Sequence, residues 1–308
     1  MCNPLVSIII PVFNRSHLIK ETLQSVKNQF LNTWECIIVD DGSTDVTVDV
    51  VADFIKGDNR FLLLVRPDNR KKGASTCRNI GLENSKGRFI QFLDSDDIIS
   101  PDKISEQLKV LTTQSELSFA FCKWGRFSNS IDAIDLYDSL FVYQDFSNPV
   151  ELLNALIVSK GYLPIHSFLF SKKLVDKAGF WDENIGLNDD GEFFSRVVVT
   201  FDKAVFSERG VVFYRNSEKD ISLSSFDSIE KVISSLKSWE TIFKRYRLKF
   251  KGEDRKFRIY KKKSIYQVTK IHYPSLLKDQ FFFELKFYLW RERLVFFFKC
   301  FLKKVMNG

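Results

Sequence analysis

Seven aspartates in three short stretches carry most of the chemistry that this chain of 308 residues can offer: Asp40 and Asp41; Asp94, Asp96 and Asp97; and, much later, Asp189 and Asp190. Three carboxylates within four residues repel one another unless a cation or a hydrogen-bond donor sits among them. A hard divalent ion, held by one or two carboxylates together with substrate phosphates, is the simplest occupant. Such an ion can act as a Lewis acid on the phosphates it binds. A carboxylate on a distant segment is free to serve separately as a general base. Asp40 and Asp41 are more ambiguous, because Gly42 and Ser43 follow them and a turn or helix cap explains that pattern equally well.

The elements around these residues alternate between the two periodicities. Residues 6–13 form a short, β-branched, apolar run of the kind expected for a central parallel strand buried on both faces. Ser16 is placed to cap a helix on which Leu18, Ile19, Thr22, Leu23 and Val26 recur at helical spacing. Residues 34–39 predict a second strand, Val46 to Ile55 a second helix, residues 61–65 a third strand, residues 73–84 a third helix and residues 88–93 a fourth strand. Ser100 and Pro101 read as the start of a further helix. Such alternation implies a doubly wound sheet, and ligands bind beyond the carboxyl ends of its strands. Both early aspartate clusters fall on that edge.

The residues carrying this pattern resemble a known family. Val6-Ser-Ile-Ile-Ile-Pro-Val-Phe-Asn14, Ile37-Ile-Val-Asp-Asp-Gly-Ser-Thr-Asp45, Gly73-Ala-Ser-Thr-Cys-Arg-Asn-Ile-Gly81 and Gly87-Arg-Phe-Ile-Gln-Phe-Leu-Asp-Ser-Asp-Asp97 are similar, in order and spacing, to the N-terminal half of family 2 glycosyltransferases. A weaker fifth match, Gly179-Phe-Trp-Asp-Glu183 with Asn188-Asp-Asp-Gly-Glu-Phe-Phe194, extends the resemblance to about residue 215. It implies an α/β fold of the GT-A type, with a doubly wound, mixed and mostly parallel sheet. It also implies a nucleotide-diphosphate sugar donor, a divalent cofactor (Mn2+ or Mg2+) and inversion at the anomeric carbon.

Carried over by position, the resemblance puts Pro11 in the loop after the first strand, against the nucleotide base, with Phe13 and Asn14 beside it. Asp41 becomes the carboxylate that accepts from uracil, Arg78 a donor-binding residue, Asp94 a group near ribose and metal, and Asp96 the metal ligand. Asp190 becomes the catalytic base, with Asp189 its rival because Asn-Asp-Asp stands where many relatives carry Glu-Asp. Asp40, Gly73, Asp97 and His166 are secondary candidates. Each has a plainer alternative: Arg78 as a helix-surface ion pair, Asp190 as a helix cap, His166 as a satisfied buried histidine. Trp181 to Glu183 are expected to contribute to an acceptor wall, and the sequence names neither sugar nor acceptor.

Composition sets the rest. The chain is 44% hydrophobic and has only 13 Gly and 7 Pro, so it is neither disordered nor low-complexity. The five cysteines show no ligand spacing and read as small buried hydrophobes. The N-terminal apolar run lacks a basic leader and is not expected to be a signal peptide. Residues 231–308 hold 21 Lys and Arg against 6 Asp and Glu, a net charge of +15, whereas the preceding residues carry −8. Ile233, Leu236, Trp239, Ile242, Phe243 and Tyr246 predict a helical stripe. Residues 281–305 mix ten aromatic side chains with six cations, as in a helix lying in a membrane interface.

The expected organisation is a catalytic domain at 1–220, with a nucleotide-sugar half at about 1–115 and an acceptor half at about 116–220, followed by a helical, basic-aromatic extension at 221–308. The expected function is metal-dependent transfer of a hexosyl or N-acetylhexosaminyl group from a UDP-linked donor to a saccharide or lipid-linked saccharide acceptor in surface polysaccharide synthesis. The protein would act in the cytoplasm, peripherally on the inner face of the plasma membrane and without nucleic acid; the basic helices alternatively cap the body or join a homodimer. A catalytically silent GT-A fold that binds a nucleotide or partner is the competing class. Sugar nucleotidylyltransferases are set aside, because no Gly-rich loop follows the first strand.

Overall fold

Apolar residues without alternation become strands covered on both sides, and those at helical spacing become the layers that cover them. This computed structural model describes residues 4–128, 133–159, 162–216 and 228–306, with side chains of the last helix described as far as Val295. The chain forms two compact units, Met1–Ser225 and Phe226–Gly308. The first contains β1 (Val6–Val12), α1 (Ile19–Lys27), β2 (Trp34–Asp40), α2 (Thr47–Ile55), β3 (Phe61–Val65), α3 (Ala74–Glu83), β4 (Phe89–Phe92), β5 (Ile98–Ile99) and α4 (Lys103–Leu111). It continues with β6 (Ser118–Phe127), β7 (Asp135–Tyr137), α5 (Pro149–Val158), β8 (Phe168–Ser171), α6 (Lys172–Ala178), α7 (Asp189–Val198) and β9 (Lys203–Arg215).

The strand order is β3-β2-β1-β4-β8-β6-β9-β5, with β7 paired to β6. From β3 to β4 every pairing is parallel. β8 then enters antiparallel between β4 and β6, so the sheet is mixed in its second half. β1 lies between β2 and β4 with all seven residues buried, which is why its sequence shows no polar alternation. Pro11 sits inside this strand opposite Val39 rather than in the loop beyond it; the loop begins at Phe13.

Two helix starts differ from the sequence expectation. α1 begins at Ile19, and the Ser16 hydroxyl donates to Asp45 Oδ2 at 2.8 Å instead of capping the helix. α4 begins at Lys103, with Ser100 donating to Asp102 Oδ1 at 2.6 Å. In both cases the hydroxyl is turned toward an aspartate and accepts from no N–H of the helix. Cys36, Cys77 and Cys122 are buried free thiols, as composition suggested, while Cys2 and Cys300 lie outside the described residues or side chains.

The second unit holds α8 (Ile229–Phe250), α9 (Arg255–His272) and α10 (Phe283–Met306). Leu236, Ile242, Phe243 and Tyr246 of α8 are buried as their spacing predicts; Ile233 is exposed and Val232 takes the inner position. α10 is tied to α9 by Glu284, which receives Arg258 at 2.9 Å and lies 3.2 Å from Lys262. Phe281, Phe282 and Leu285 are buried beside this contact. On the other face Phe283, Phe287, Trp290 and Leu294 are exposed. Spaced four, three and four residues apart, they fall within roughly 60° of helical arc. Among the described residues no helix is long and apolar enough to cross a membrane.

Candidate active site

Arg78 stands at the centre of the acidic edge. α3 lies so close to β1 that a Cβ on Gly81 would come within 2.3 Å of Ile9 Cγ2, and this approach carries Arg78 inward. Its buried guanidinium donates to Asp94 Oδ1 at 2.8 Å and Asp189 Oδ2 at 2.9 Å, and lies 3.7 Å from Asp190 Oδ1. Burial alone would weaken this cation, but the three carboxylates outweigh it and raise its affinity for the proton. One side chain therefore joins the cluster after β4 to the pair that opens α7.

Beneath it, Trp181 places its ring 4.4 Å from the guanidinium and stacks on Phe193 at 4.4 Å. Asn79 fixes that tryptophan through both backbone groups, donating to its carbonyl at 3.0 Å and accepting from its N–H at 2.8 Å. Trp181 is buried, so it forms the floor of the arginine and not a wall open to an acceptor. Glu183 likewise receives Asn79 at 2.9 Å and Arg70 at 2.8 Å, tying its loop to α3 and the segment before it.

The two aspartates of α7 differ in their surroundings. Asn188 turns the chain with a left-handed φ of 66°, and its side chain packs where a Cβ on Gly191 would approach Oδ1 to 2.3 Å. A side chain at position 191 would have to push the Asn188 amide aside. Asp189 is held by Arg78 and by the Ser75 hydroxyl at 3.0 Å. Asp190 has one oxygen, Oδ1, sealed without a hydrogen-bond partner, although the side chain as a whole is 37% exposed. Burial of that oxygen, reinforced by Asp189 and opposed by Arg78, pushes its carboxyl above the usual range. A raised carboxyl on an accessible side chain is suited to proton transfer.

Asp41 and Asp40 divide their work. Asp41 Oδ1 accepts from Arg66 Nε at 2.5 Å and from the Gly73 N–H at 3.1 Å. Arg66 also grips the Arg70 carbonyl at 2.7 Å, organising the segment that leads into α3. Asp40 accepts from the N–H groups of Gly42 and Ser43, at 2.9 and 2.8 Å, and from the Ser43 hydroxyl at 2.5 Å. It is the clamp of its own turn. Asn14, at φ 50°, accepts from the Thr44 N–H at 2.8 Å and zips the loops after β1 and β2 together. The exposed Phe13 ring lies 3.7 Å from the Lys72 ammonium.

The third cluster is graded by depth. Asp97 and His166 are buried, with Asp97 Oδ2 3.2 Å from His166 Nδ1, and the Arg215 N–H donates to Asp97 Oδ1 at 2.7 Å. Burial drives Asp97 well up and His166 down to about 4, so both favour their neutral forms. Asp94 and Asp96 remain reachable, with side-chain exposures of 30% and 29%. Asp96 Oδ2 lies 3.4 Å from Arg15 Nε.

A divalent cation fits these residues. Ligand atoms of Asp94, Asp97 and His166 all lie within 4.8 Å of one another, and both His166 nitrogens are buried without a hydrogen-bond partner. Asp96, the expected metal ligand, is not one of this trio; it stands partly exposed beside Arg15, and of the three only Asp94 reaches the surface. The structure thus brings Asp94, Asp189, Asp190 and Arg78 together and sets Asp41 with Gly73. It also adds Arg15, Arg66 and Arg215, which the sequence did not single out. Arg15 adjoins Asn14 within a recognisable segment; Arg66 and Arg215 stand in no motif and become visible only through contacts.

With this geometry in view, comparison with known proteins is informative. Residues 7–172, more than half of the chain, match the family described as Glycosyl transferase family 2. The chain is 42% identical over 118 residues to a putative teichuronic acid biosynthesis glycosyltransferase, TuaG, of Bacillus subtilis, covering 38% of this chain and 46% of TuaG. It is 37% identical over 126 residues to the UDP-Glc:alpha-D-GlcNAc-diphosphoundecaprenol beta-1,3-glucosyltransferase WfgD of Escherichia coli, covering 41% of this chain and 48% of WfgD. The matches to these curated relatives thus span just under half their length. Residues 1–349 of S. aureus TarS in complex with UDP share the fold with a TM-score of 0.64, at 17% identity over 89% of this chain and 75% of that one.

Proposed function

The chain belongs to glycosyl transferase family 2, and from that premise we propose that it transfers a sugar, with inversion, from a UDP-linked donor to a saccharide or lipid-linked saccharide acceptor in surface polysaccharide synthesis. The observation that carries this reading is the Arg78 junction, where one buried cation holds Asp94 on the donor side and Asp189 and Asp190 on the other. WfgD, described as acting on alpha-D-GlcNAc-diphosphoundecaprenol, and TuaG, described as a putative teichuronic acid biosynthesis glycosyltransferase, support the acceptor class.

In this reading Asp41, fixed by Arg66 and Gly73, accepts from the base N3–H, and Phe13 covers the base. Asp96 and Asp94 would hold Mn2+ or Mg2+, which when bound supplies charge neutralisation to the leaving diphosphate. Asp190 takes the proton of the acceptor hydroxyl as that oxygen attacks the anomeric carbon. Asp189 is occupied by Arg78 and Ser75, and so positions the junction while Asp190 acts. His166 and Asp97, sealed from solvent, support the cluster rather than touch the acceptor.

The second unit brings the enzyme to its acceptor. Phe283, Phe287, Trp290 and Leu294 form an exposed apolar stripe on α10, with Lys286, Arg291 and Arg293 beside it, in a unit of strongly positive charge. That combination suits shallow insertion into an anionic lipid surface, which is the inner face of the plasma membrane for a cytoplasmic enzyme. The test of the whole reading is nucleotide release from a panel of UDP-, GDP- and CDP-sugars with Mn2+ and lipid-linked saccharides. UDP-sugars alone should be consumed, and the new linkage should have the opposite anomeric configuration to the donor; retention or indifference to the base overturns it.

A further inference from the structure

Arg15 has no part in the reading above, yet it is built toward the acidic edge. Asn14 takes a left-handed turn that Thr44 and Ser43 secure, and the Arg15 N–H donates to Thr47 Oγ1 at 2.8 Å. Its guanidinium donates to the Asn14 carbonyl at 3.3 Å and meets Asp96 Oδ2 at 3.4 Å. This ion pair is longer and more exposed than its neighbours: Arg78 reaches Asp94 at 2.8 Å and Arg66 reaches Asp41 at 2.5 Å, both from more deeply buried positions. Hydrogen bonds hold the loop's backbone in place, whereas the pair that Arg15 makes is long and partly exposed.

We propose that Arg15 is an exchangeable counter-ion: it neutralises Asp96 while no cation is bound, and turns to the donor diphosphate when donor and cation arrive together. The inference rests on Asp96 being the cation's carboxylate. A guanidinium offers a planar fork that matches phosphate oxygens, so the released side chain finds a partner on the donor itself. A cation arriving alone must displace Arg15 and leaves it unpaired; a cation arriving with a diphosphate does not. Cation and nucleotide therefore strengthen each other's binding, and by linkage the coupling is reciprocal. This keeps the site from being filled by metal in the absence of donor.

The test is Mn2+ binding to the full chain, followed by the electron paramagnetic resonance of free Mn2+, with and without UDP. It compares wild type, Arg15→Gln, Arg15→Lys and Asp96→Asn, with thermal melts to confirm folding. Arg15→Gln should bind Mn2+ alone about two- to fivefold more tightly, the range of a partly exposed ion pair. The gain in Mn2+ affinity on adding UDP should shrink, with Arg15→Lys in between. If Asp96→Asn abolishes Mn2+ binding but Arg15→Gln leaves both affinities at wild-type values, the inference falls and the assigned function stands. If Asp96→Asn binds Mn2+ like wild type, or wild type binds none, the metal assignment fails and takes the inference with it.

Discussion

The two units use charge in opposite ways. In the first, acidic side chains converge on one sheet edge and four of them are answered by an arginine from another segment: Asp41 by Arg66, Asp94 and Asp189 by Arg78, Asp96 by Arg15. Individual position matters there, because partly buried charges interact strongly and are costly to leave unpaired. In the second, an excess of cations is spread over three helices, one of which carries an apolar stripe, and Glu284 is an acid that Arg258 and Lys262 share. What matters there is the sum, which salt can screen. Single substitutions should therefore act sharply in the first unit and gradually in the second.

The largest expected effect is at α7. Asp190→Asn should lower turnover by roughly a hundred- to ten-thousand-fold, as expected for lost general-base catalysis, with donor affinity almost unchanged. Asp189→Asn should chiefly weaken donor binding through Arg78. Steady-state kinetics on both variants decides between them, and a reversed pattern would transfer the base to Asp189.

The next effect is on pH. Asp190 is pushed up to about 8 by burial and by Asp189, and only its ionised form accepts a proton. The dependence of kcat/KM on pH should therefore rise about tenfold per unit on the acid side and level off above that value. For folding the sign is opposite: a raised carboxyl favours the folded state at low pH, and that contribution fades as pH rises through the same range. Asp190→Asn should remove both dependences, the first read by initial rates and the second by thermal melts across pH.

The smallest effects belong to α10. Phe287→Glu or Trp290→Glu should weaken binding to anionic vesicles by about tenfold in a sedimentation assay, since each places a charge in the apolar stripe. Raising salt should weaken the wild type only in part, because the apolar contribution is not screened. Donor binding should be unchanged in both variants. Vesicle binding indifferent to these substitutions would remove the membrane role of the stripe.

How much of this was legible in the sequence follows the same division. β1 to β4 and α3 were readable because local periodicity and turn residues determine them, and the aspartates at their ends came with them. Asp189 and Asp190 could not be told apart by spacing, since only Arg78 and Ser75, more than a hundred residues earlier, distinguish them. The resemblance puts Pro11 in a loop, although the apolar run 6–13 already includes it, and it lies inside β1. Trp181 reads as available to a substrate in the sequence alone, which cannot show that Arg78 and Phe193 already cover its ring. In the second unit the net charge was plain, but which residues of α10 face outward depended on Phe281, Phe282 and Leu285 turning in.

In the proposed function Asp94, Asp96 and Asp41 make one metal-assisted nucleotide site, which calorimetric titration of UDP into the full chain, with and without Mn2+, would reveal. One UDP should bind per chain, about tenfold or more tightly with Mn2+ than without, and Asp96→Asn should erase the difference while its melting behaviour stays that of a folded protein. Binding that ignores Mn2+, or a Mn2+ effect that survives Asp96→Asn, would contradict it.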